Sequence, residues 1–138
     1  MAPEALSFHQ AIGLLPSKFT PTQIIRNRPQ LVSTALRIIE FHATKEYTVA
    51  NTRIWWTASN TLEKYCVEWI MIALGYEGIV VIPAKIILDY AKNNKVSTLK
   101  TGRQNIRIKK DGSRIIMYES GASEIDLTHY LVLNKIYD

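Results

Sequence analysis

Residues 103–119 read RQNIRIKKDGSRIIMYE, and this stretch decides the fold of the C-terminal half. Two runs in which apolar and polar residues alternate lie on either side of Asp111-Gly112. Alternation with a period of two is typical of half-buried strands, and Asp-Gly is a strong signal for a two-residue hairpin turn. The sequence therefore predicts a β-hairpin with strands at about 103–110 and 113–119.

A two-residue loop fixes which residues pair across the hairpin. Counting outward from the turn pairs Lys109 with Arg114, and Asn105 with Tyr118. This register places the following apolar side chains on one face: Ile106, Ile108, Ile115 and Met117. The opposite face is predicted to carry Asn105, Arg107, Lys109, Arg114, Ile116 and Tyr118.

Positive charge is concentrated in the same segment. The chain has 138 residues and a formal net charge of +5. Residues 92–114 contain eight basic residues and one acid, Asp111, so this segment carries +7 and the rest of the chain −2. Such a concentration is the pattern expected of a polyanion-binding surface. The predicted opposition of Lys109 and Arg114 is unfavourable in an isolated hairpin, and an anionic partner would relieve it.

These features predict a nucleic-acid-binding module, with DNA ahead of RNA, such as the recognition part of a defence, restriction or mobile-element system. The neighbouring loop at 97–103 combines hydroxyls, a glycine and cations, which suits phosphate binding through backbone N–H groups. Basic residues on an exposed hairpin also protect it from aggregation, which is the alternative explanation. The residues expected to contact nucleic acid are Lys100, Arg103, Asn105, Arg107, Lys109, Lys110, Arg114 and Tyr118.

Trp55 and Trp56 are adjacent in a segment, 48–56, that is rich in strand-forming residues. Successive side chains of a strand point to opposite faces, so one ring could be buried while the other is exposed and stacks on a base. Burial or core lining of both rings is the favoured prediction, because tryptophan is mostly buried in proteins.

The N-terminal third is predicted to be helical, with helices at 4–15, after Thr20-Pro21, and at about 29–43. A central helix is predicted at 60–74, with an N-cap at its start, Gly75 at its end and a mostly apolar circumference. A buried strand at 78–82, a helix at 83–92 and a last strand at 130–136 complete the assignment.

The predicted fold class is therefore α+β, in a single domain covering 1–138. Its helical N-terminal part covers 1–45, and the α+β remainder covers 46–138. The N-terminal helices and the buried central helix would pack on a mostly antiparallel sheet that ends in the basic hairpin.

Two other functions fit parts of the sequence. A protein-interaction or oligomerisation domain would use Trp55, Trp56 and Tyr76 as its main contact residues. A nuclease-like domain would draw on Glu63, Glu68 and Asp89, because clustered carboxylates hold the metal ion that activates water. The strands that follow these acids lack the carboxylate and lysine pattern of such enzymes, so the sequence does not predict catalysis.

The remaining expectations concern cofactors and location. The single cysteine, Cys66, excludes an internal disulfide and is expected to be a buried thiol on the central helix. His9, His42 and His129 lack the spacing of metal ligands, and His42 is expected to cap a helix. No cofactor, metal or membrane partner is expected. A cytoplasmic protein is predicted, either a homodimer or part of a larger multidomain parent.

Overall fold

The computed structural model describes residues 7–27, 30–59, 62–75, 77–93, 104–118 and 123–134. These residues are mostly β, with 54% strand and 20% helical structure, and they form two sheets and two α-helices. The α+β prediction, with several helices packed on one sheet, is therefore wrong. No helix in the described ranges is long and apolar enough to cross a membrane.

The first helix, α1 (Phe8–Leu14), agrees with the predicted helix at 4–15. It begins with a capping box, in which the Ser7 hydroxyl accepts from the Gln10 N–H at 3.2 Å and the Gln10 side chain accepts from the Ser7 N–H at 2.9 Å. These two bonds satisfy backbone groups that a helix start otherwise leaves without partners. A short 3₁₀ turn, Ser17–Phe19, follows it.

The next segment, for which the sequence predicts two helices, forms three strands: β1 (Gln23–Asn27), β2 (Gln30–Thr34) and β3 (Arg37–Thr44). The predicted helical part over 1–45 is wrong for this reason. The apolar residues at 31–41 fit a helical stripe, but they are also rich in β-branched side chains that favour strands. β2 and β3 form a hairpin, and Arg37, the first residue of β3 after the turn, has a φ of 77°.

The segment predicted as one strand at 48–56 is β, but it forms a hairpin of two strands, β4 (Tyr47–Val49) and β5 (Thr52–Ser59). Ala50 and Asn51 connect the two strands, with φ angles of 50° and 65°. Two successive positive φ angles are what a type I′ hairpin turn requires.

The predicted central helix at 60–74 does not exist. Residues 62–66 form a turn, and the apolar segment forms β6 (Trp69–Leu74), which pairs with β7 (Gly78–Pro83). A continuous apolar run fits a buried helix and a buried strand equally well. Cys66 lies in the turn with a φ of 52° and is exposed, so the expected buried thiol on a helix is also wrong.

Most of the remaining elements follow the sequence prediction, which did not include a strand at 125–126 or a 3₁₀ turn at 128–130. The remaining elements are α2 (Ala84–Asn93), the hairpin of β8 (Gln104–Asp111) and β9 (Arg114–Met117), β10 (Ile125–Asp126), a 3₁₀ turn (Thr128–Tyr130) and β11 (Leu131–Asn134). The predicted strand at 78–82, helix at 83–92 and last strand at 130–136 are each confirmed within the described residues.

The strands form a six-stranded sheet in the order β1-β2-β3-β6-β7-β11 and a five-stranded sheet in the order β10-β9-β8-β5-β4. All neighbouring strands are antiparallel except β3 and β6, which run parallel. The two sheets pack face to face over the main core, which contains Ile72 and Leu74 from one sheet and Trp55, Ile106 and Ile108 from the other.

The outward faces of the two sheets differ. On the six-stranded sheet, Phe8 and Ala11 of α1 and Phe19 pack over a second core that includes Ile39 and Phe41. The outward face of the five-stranded sheet has no such apolar cluster among the described residues. This outward face is therefore the candidate binding surface.

Candidate nucleic-acid interface

The β8–β9 hairpin turns at Gly112-Ser113, one residue later than predicted. Gly112 has a φ of 62°, and glycine at the first central position is characteristic of a type II′ turn. The cross-strand pairing therefore differs from the prediction by two residues. Lys109 lies opposite Ile116, and Asp111 lies opposite Arg114.

The two faces of the hairpin are nevertheless as predicted, because a shift of two residues in the cross-strand pairing leaves each side chain on its original face. The apolar face is confirmed, since its four members are at most 2% exposed: Ile106, Ile108, Ile115 and Met117. Ile116 lies on the other face, as predicted, but it is buried as well.

The predicted repulsion between Lys109 and Arg114 is absent. The Arg114 guanidinium contacts the Asp111 carboxylate at 2.7 Å, and the Lys109 ammonium pairs with the carboxylate of Glu124. The hydrogen bond to Glu124 raises the pKa of Lys109 above its ordinary value. The sequence argument that required an anionic partner at this position is therefore wrong.

Lys110 joins a second ionic cluster, at the rim where the two sheets meet. Its ammonium pairs with Glu77, which also accepts from Arg53 at 2.8 Å, and Arg53 in turn contacts Glu46. Burial would raise the pKa of Glu77, but the hydrogen bonds from Lys110 and Arg53 outweigh it and hold the pKa below the ordinary value of 4.5. The cluster ties β5 and β8 of one sheet to the start of β7 in the other.

Because the pKa of Glu77 is lowered in the folded state, the free energy of unfolding should depend on pH in the acid range. A carboxyl whose pKa is lower in the folded state stabilises the fold above its unfolded pKa and loses that contribution as the pH falls through the folded pKa. We expect Glu77→Gln to lower the free energy of unfolding by about 1–2 kcal/mol at neutral pH. The difference from wild type should shrink steadily below about pH 4.5. Urea denaturation at a series of pH values measures it, and a difference that does not change with pH would contradict the assignment.

The outward face of the five-stranded sheet carries three planar side chains in a row. Trp56 on β5 pairs directly with Arg107 on β8. The Tyr118 N–H donates to the Arg107 carbonyl at 3.0 Å, so Tyr118 lies beside Arg107 on the next strand. We call Trp56, Arg107 and Tyr118 the planar row. Neighbouring strands are about 4.8 Å apart, so the two aromatic rings start about 10 Å from each other.

The planar row lines one open depression of about 260 Å³, together with Ile54 and Trp55. Trp56 is 45% exposed, Arg107 is exposed and Tyr118 is half-buried. Trp55, by contrast, is fully buried in the core, so the favoured prediction that both rings are buried is wrong and the alternative of one exposed ring is what the structure has.

Two polar side chains extend this face along β8. The Lys109 ammonium lies 5.1 Å from the centroid of the Tyr118 ring, which is a cation–π distance. Asn105, two residues from Arg107 on the same strand, pairs with Ala58 of β5 and is half-buried. The face therefore offers aromatic rings, cations and a side-chain amide within one surface.

The predicted site residues thus fall into three groups. Asn105, Arg107, Lys109 and Tyr118 share the outward face, together with Trp56. Lys110 points to the opposite face, and Arg114 lies at the turn. Lys100 and Arg103, with the loop at 97–103, lie outside the described residues, as does Tyr76. The sequence did not show that Trp56 would be the cross-strand neighbour of Arg107, because 51 residues separate them in the chain.

A buried polar chain lies between the two sheets and includes His42, for which the sequence predicts a helix cap. The His42 Nε2 is 2.6 Å from Glu40 Oε2, and its Nδ1 is 2.8 Å from Thr57 Oγ1. Glu40 is fully buried and the His42 side chain is 11% exposed. Glu40 and His42 belong to β3 and Thr57 belongs to β5, so this chain of hydrogen bonds connects the sheets below the candidate site.

The acids proposed for a nuclease site also come together. Glu63, Glu68 and Asp89 line one groove with Cys66 and Lys85 at the start of α2. Within the described part of the chain, however, no three His, Cys, Asp or Glu side chains are grouped to hold a metal ion. The groove therefore supplies no metal centre on which to build a nuclease mechanism.

No protein-family model matches this chain, and no curated protein or solved structure is significantly similar to it. Function must therefore be inferred from the surface chemistry described above. The outward face of the five-stranded sheet is the surface that combines exposure with a defined arrangement of side chains.

Proposed function

We propose that this chain is a nucleic-acid-binding domain, with DNA ahead of RNA, and that bases contact the outward face of its five-stranded sheet. The planar row carries the proposal. Two aromatic rings flank a guanidinium on an exposed sheet face and line one depression. Aromatic rings stack on bases of any sequence, and arginine contributes both charge and a planar stacking surface.

The exposure of Trp56 supports this assignment. A large apolar ring on a surface is not stabilised by the solvent, and contiguous exposed apolar surface often marks a binding site. The inward face of this sheet and both faces of the other sheet pack against apolar cores. A planar partner would cover the exposed part of the Trp56 ring.

We assign roles by position on this face. Trp56 and Tyr118 would stack on bases, Arg107 and Asn105 would contact base edges or the backbone, and Lys109 would contact a phosphate. A phosphate contact of Lys109 would require exchange of its present carboxylate partner, and the same holds for any phosphate contact of Lys110 and Arg114. Lys100 and Arg103 remain predictions from sequence, as does a role in defence, restriction or mobile-element systems.

Fluorescence anisotropy with a labelled oligonucleotide tests the proposal. A length of about 15 nucleotides covers the site sizes typical of single-domain binders. We expect the double variant Arg107→Ala/Tyr118→Ala to bind about tenfold or more weakly than wild type. Arg26→Ala/Tyr65→Ala is the matched control, because Arg26 of β1 and Tyr65 of the turn at 62–66 form a similar pair away from this face, with Nη1 2.7 Å from the hydroxyl.

The control variant removes the same residue types and the same charge, so it should bind within about twofold of wild type. Equal losses in the two variants would show that general charge, and not the planar row, governs binding. A wild-type protein that binds no oligonucleotide would refute the proposed function.

Self-association is a second candidate, favoured by the edge strand β1. All five residues of β1 are exposed, including Ile24 at 54% and Ile25 at 40%. An exposed apolar edge can pair with another strand through its backbone groups. Arg26, the charged residue of β1, folds back onto Tyr65 and so leaves the edge open to a second copy.

Antiparallel pairing of two copies centred on Ile25 would place Ile24 against Arg26 and Gln23 against Asn27, with no like charges opposed. If β1 mediates dimerisation, light scattering should show a dimer whose population falls sharply in Ile24→Lys, because the introduced ammonium would face the Arg26 guanidinium of the other copy. A wild-type protein that is monomeric at all accessible concentrations would rule this candidate out.

A further inference from the structure

We infer that this site takes single-stranded nucleic acid in preference to duplex, with two bases of one strand stacked on Trp56 and Tyr118. The inference rests on the proposed function and specifies its substrate class. It depends on two independent features of the structure, the pairing of the hairpin cations with carboxylates and the geometry of the planar row.

The first feature is electrostatic. Duplex DNA carries one negative charge per about 1.7 Å of its axis, and proteins that bind it neutralise several phosphates at once. Three cations of the hairpin already contact carboxylates: Lys109 with Glu124, Lys110 with Glu77, and Arg114 with Asp111. A phosphate must displace or share these partners, so these three cations offer less positive charge to a phosphate than the sequence implies. Stacking on the planar row would then supply most of the affinity.

The second feature is the shape of the surface. In a duplex the bases are paired and stacked, and a protein reaches their edges by inserting a helix or a two-stranded ribbon into a groove. The planar row instead lies on the face of a sheet, across three neighbouring strands. Bases of a single strand can turn outward and lie flat on such rings, as they do on the sheets of other single-strand-binding domains.

The size of the depression agrees with flat stacking. Pockets that enclose a small-molecule ligand usually measure about 300–1,000 Å³, and this open depression is smaller, at about 260 Å³. It suits a ring that lies against a surface better than a molecule enclosed on all sides. Arg107 lies between the two aromatic side chains, where it would meet the phosphate that links the two stacked nucleotides.

Titrations at several salt concentrations distinguish single-strand from duplex binding. The probes are labelled oligo(dT), oligo(rU) and a DNA duplex, each about 15 nucleotides long. We expect the better of the two single strands to bind about tenfold or more tightly than the duplex. Its affinity should fall with a log–log salt slope of about −1 to −2, because each phosphate contact on a single strand contributes about −0.7. If all eight basic residues of 92–114 contacted phosphates, the slope would be about −5 or steeper.

Tryptophan fluorescence adds a readout of stacking. Trp56 is the exposed tryptophan of the pair, and Trp55 is buried. Base stacking should quench the Trp56 emission, and Trp56→Phe should abolish the quenching while keeping most of the affinity. This result separates stacking on the ring from a merely structural role of Trp56.

The outcomes are distinguishable. Tighter binding of either single strand than of duplex supports the inference, and the stronger of the two identifies DNA or RNA as the source. Duplex binding that is equally tight, or a salt slope of about −5, overturns the inference while leaving nucleic-acid binding in place. No binding to any of the three probes overturns the proposed function and this inference with it.

Discussion

His42→Ala is expected to lower the free energy of unfolding by about 1–3 kcal/mol, because it removes the imidazole that contacts both the buried Glu40 side chain and the Thr57 hydroxyl. Glu40 is fully buried, and His42 Nε2 lies 2.6 Å from its carboxylate oxygen. The change also frees the Thr57 hydroxyl, which lies 2.8 Å from His42 Nδ1. Chemical denaturation of wild type and variant measures the loss.

A double replacement shows whether the lost stability comes from removing one member of the Glu40–His42 pair or from the absence of the pair itself. When both members of a buried pair become apolar residues of similar volume, the change is often neutral or stabilising. Glu40→Met/His42→Leu should therefore be markedly more stable than His42→Ala. A loss below about 1 kcal/mol in His42→Ala would show that the polar chain between the sheets contributes no more than an ordinary hydrogen bond.

Trp56→Ala/Tyr118→Ala is expected to weaken single-strand binding by about 30-fold or more. Removing one base–aromatic stack typically costs about 1–3 kcal/mol. The strand that carries Arg107 separates the two side chains, so they lie about 10 Å apart and their losses should add to about 2–6 kcal/mol. Anisotropy titrations of wild type and variant with the same single strand measure the loss.

Conservative replacements provide the control for this experiment. Trp56→Phe/Tyr118→Phe keeps both aromatic rings, so most of the affinity should remain. Tyr65→Ala, in the turn at 62–66, should have little effect. Because Trp56 is 45% exposed, its truncation should leave thermal stability nearly unchanged. Equal binding by the alanine and phenylalanine variants would show that stacking does not contribute.

Local sequence signals predicted the elements whose structure is set locally. The β8–β9 hairpin has alternating strands and a glycine turn, and the helices α1 and α2 have clear starts. The position of the turn was wrong by one residue, since Asp111-Gly112 and Gly112-Ser113 are both acceptable two-residue loops. The separation of Trp55 from Trp56 followed from strand geometry alone.

The helix predictions for 21–44 and 60–74 were wrong because the apolar patterns of these segments do not distinguish helix from strand. In the structure, β6 lies between β3 and β7, and a parallel pairing joins it to β3 about 30 residues earlier in the chain. Such non-local pairing overrides weak helical propensity, and no short stretch of sequence contains the information.

The candidate site was also predicted only in part, because some of its features depend on local sequence and others on residues far away in the chain. The faces of the hairpin are a local property, and they placed Arg107, Lys109 and Tyr118 together. The carboxylate partners of the lysines are not local, because Glu124 is 15 residues from Lys109 and Glu77 is 33 residues from Lys110. A count of charges along the sequence therefore overstated the positive potential of the surface.

Chemical-shift mapping tests the central claim most directly, because it locates the bound strand on the protein. On titration with oligo(dT), we predict that the largest backbone amide shifts occur at 54–58, 105–109 and 116–118, on β5, β8 and around the end of β9. The indole N–H of Trp56 should also shift more than that of the buried Trp55. Shifts concentrated on β1 or at the groove beside α2, or an unchanged spectrum, would contradict binding on the outward face of the five-stranded sheet.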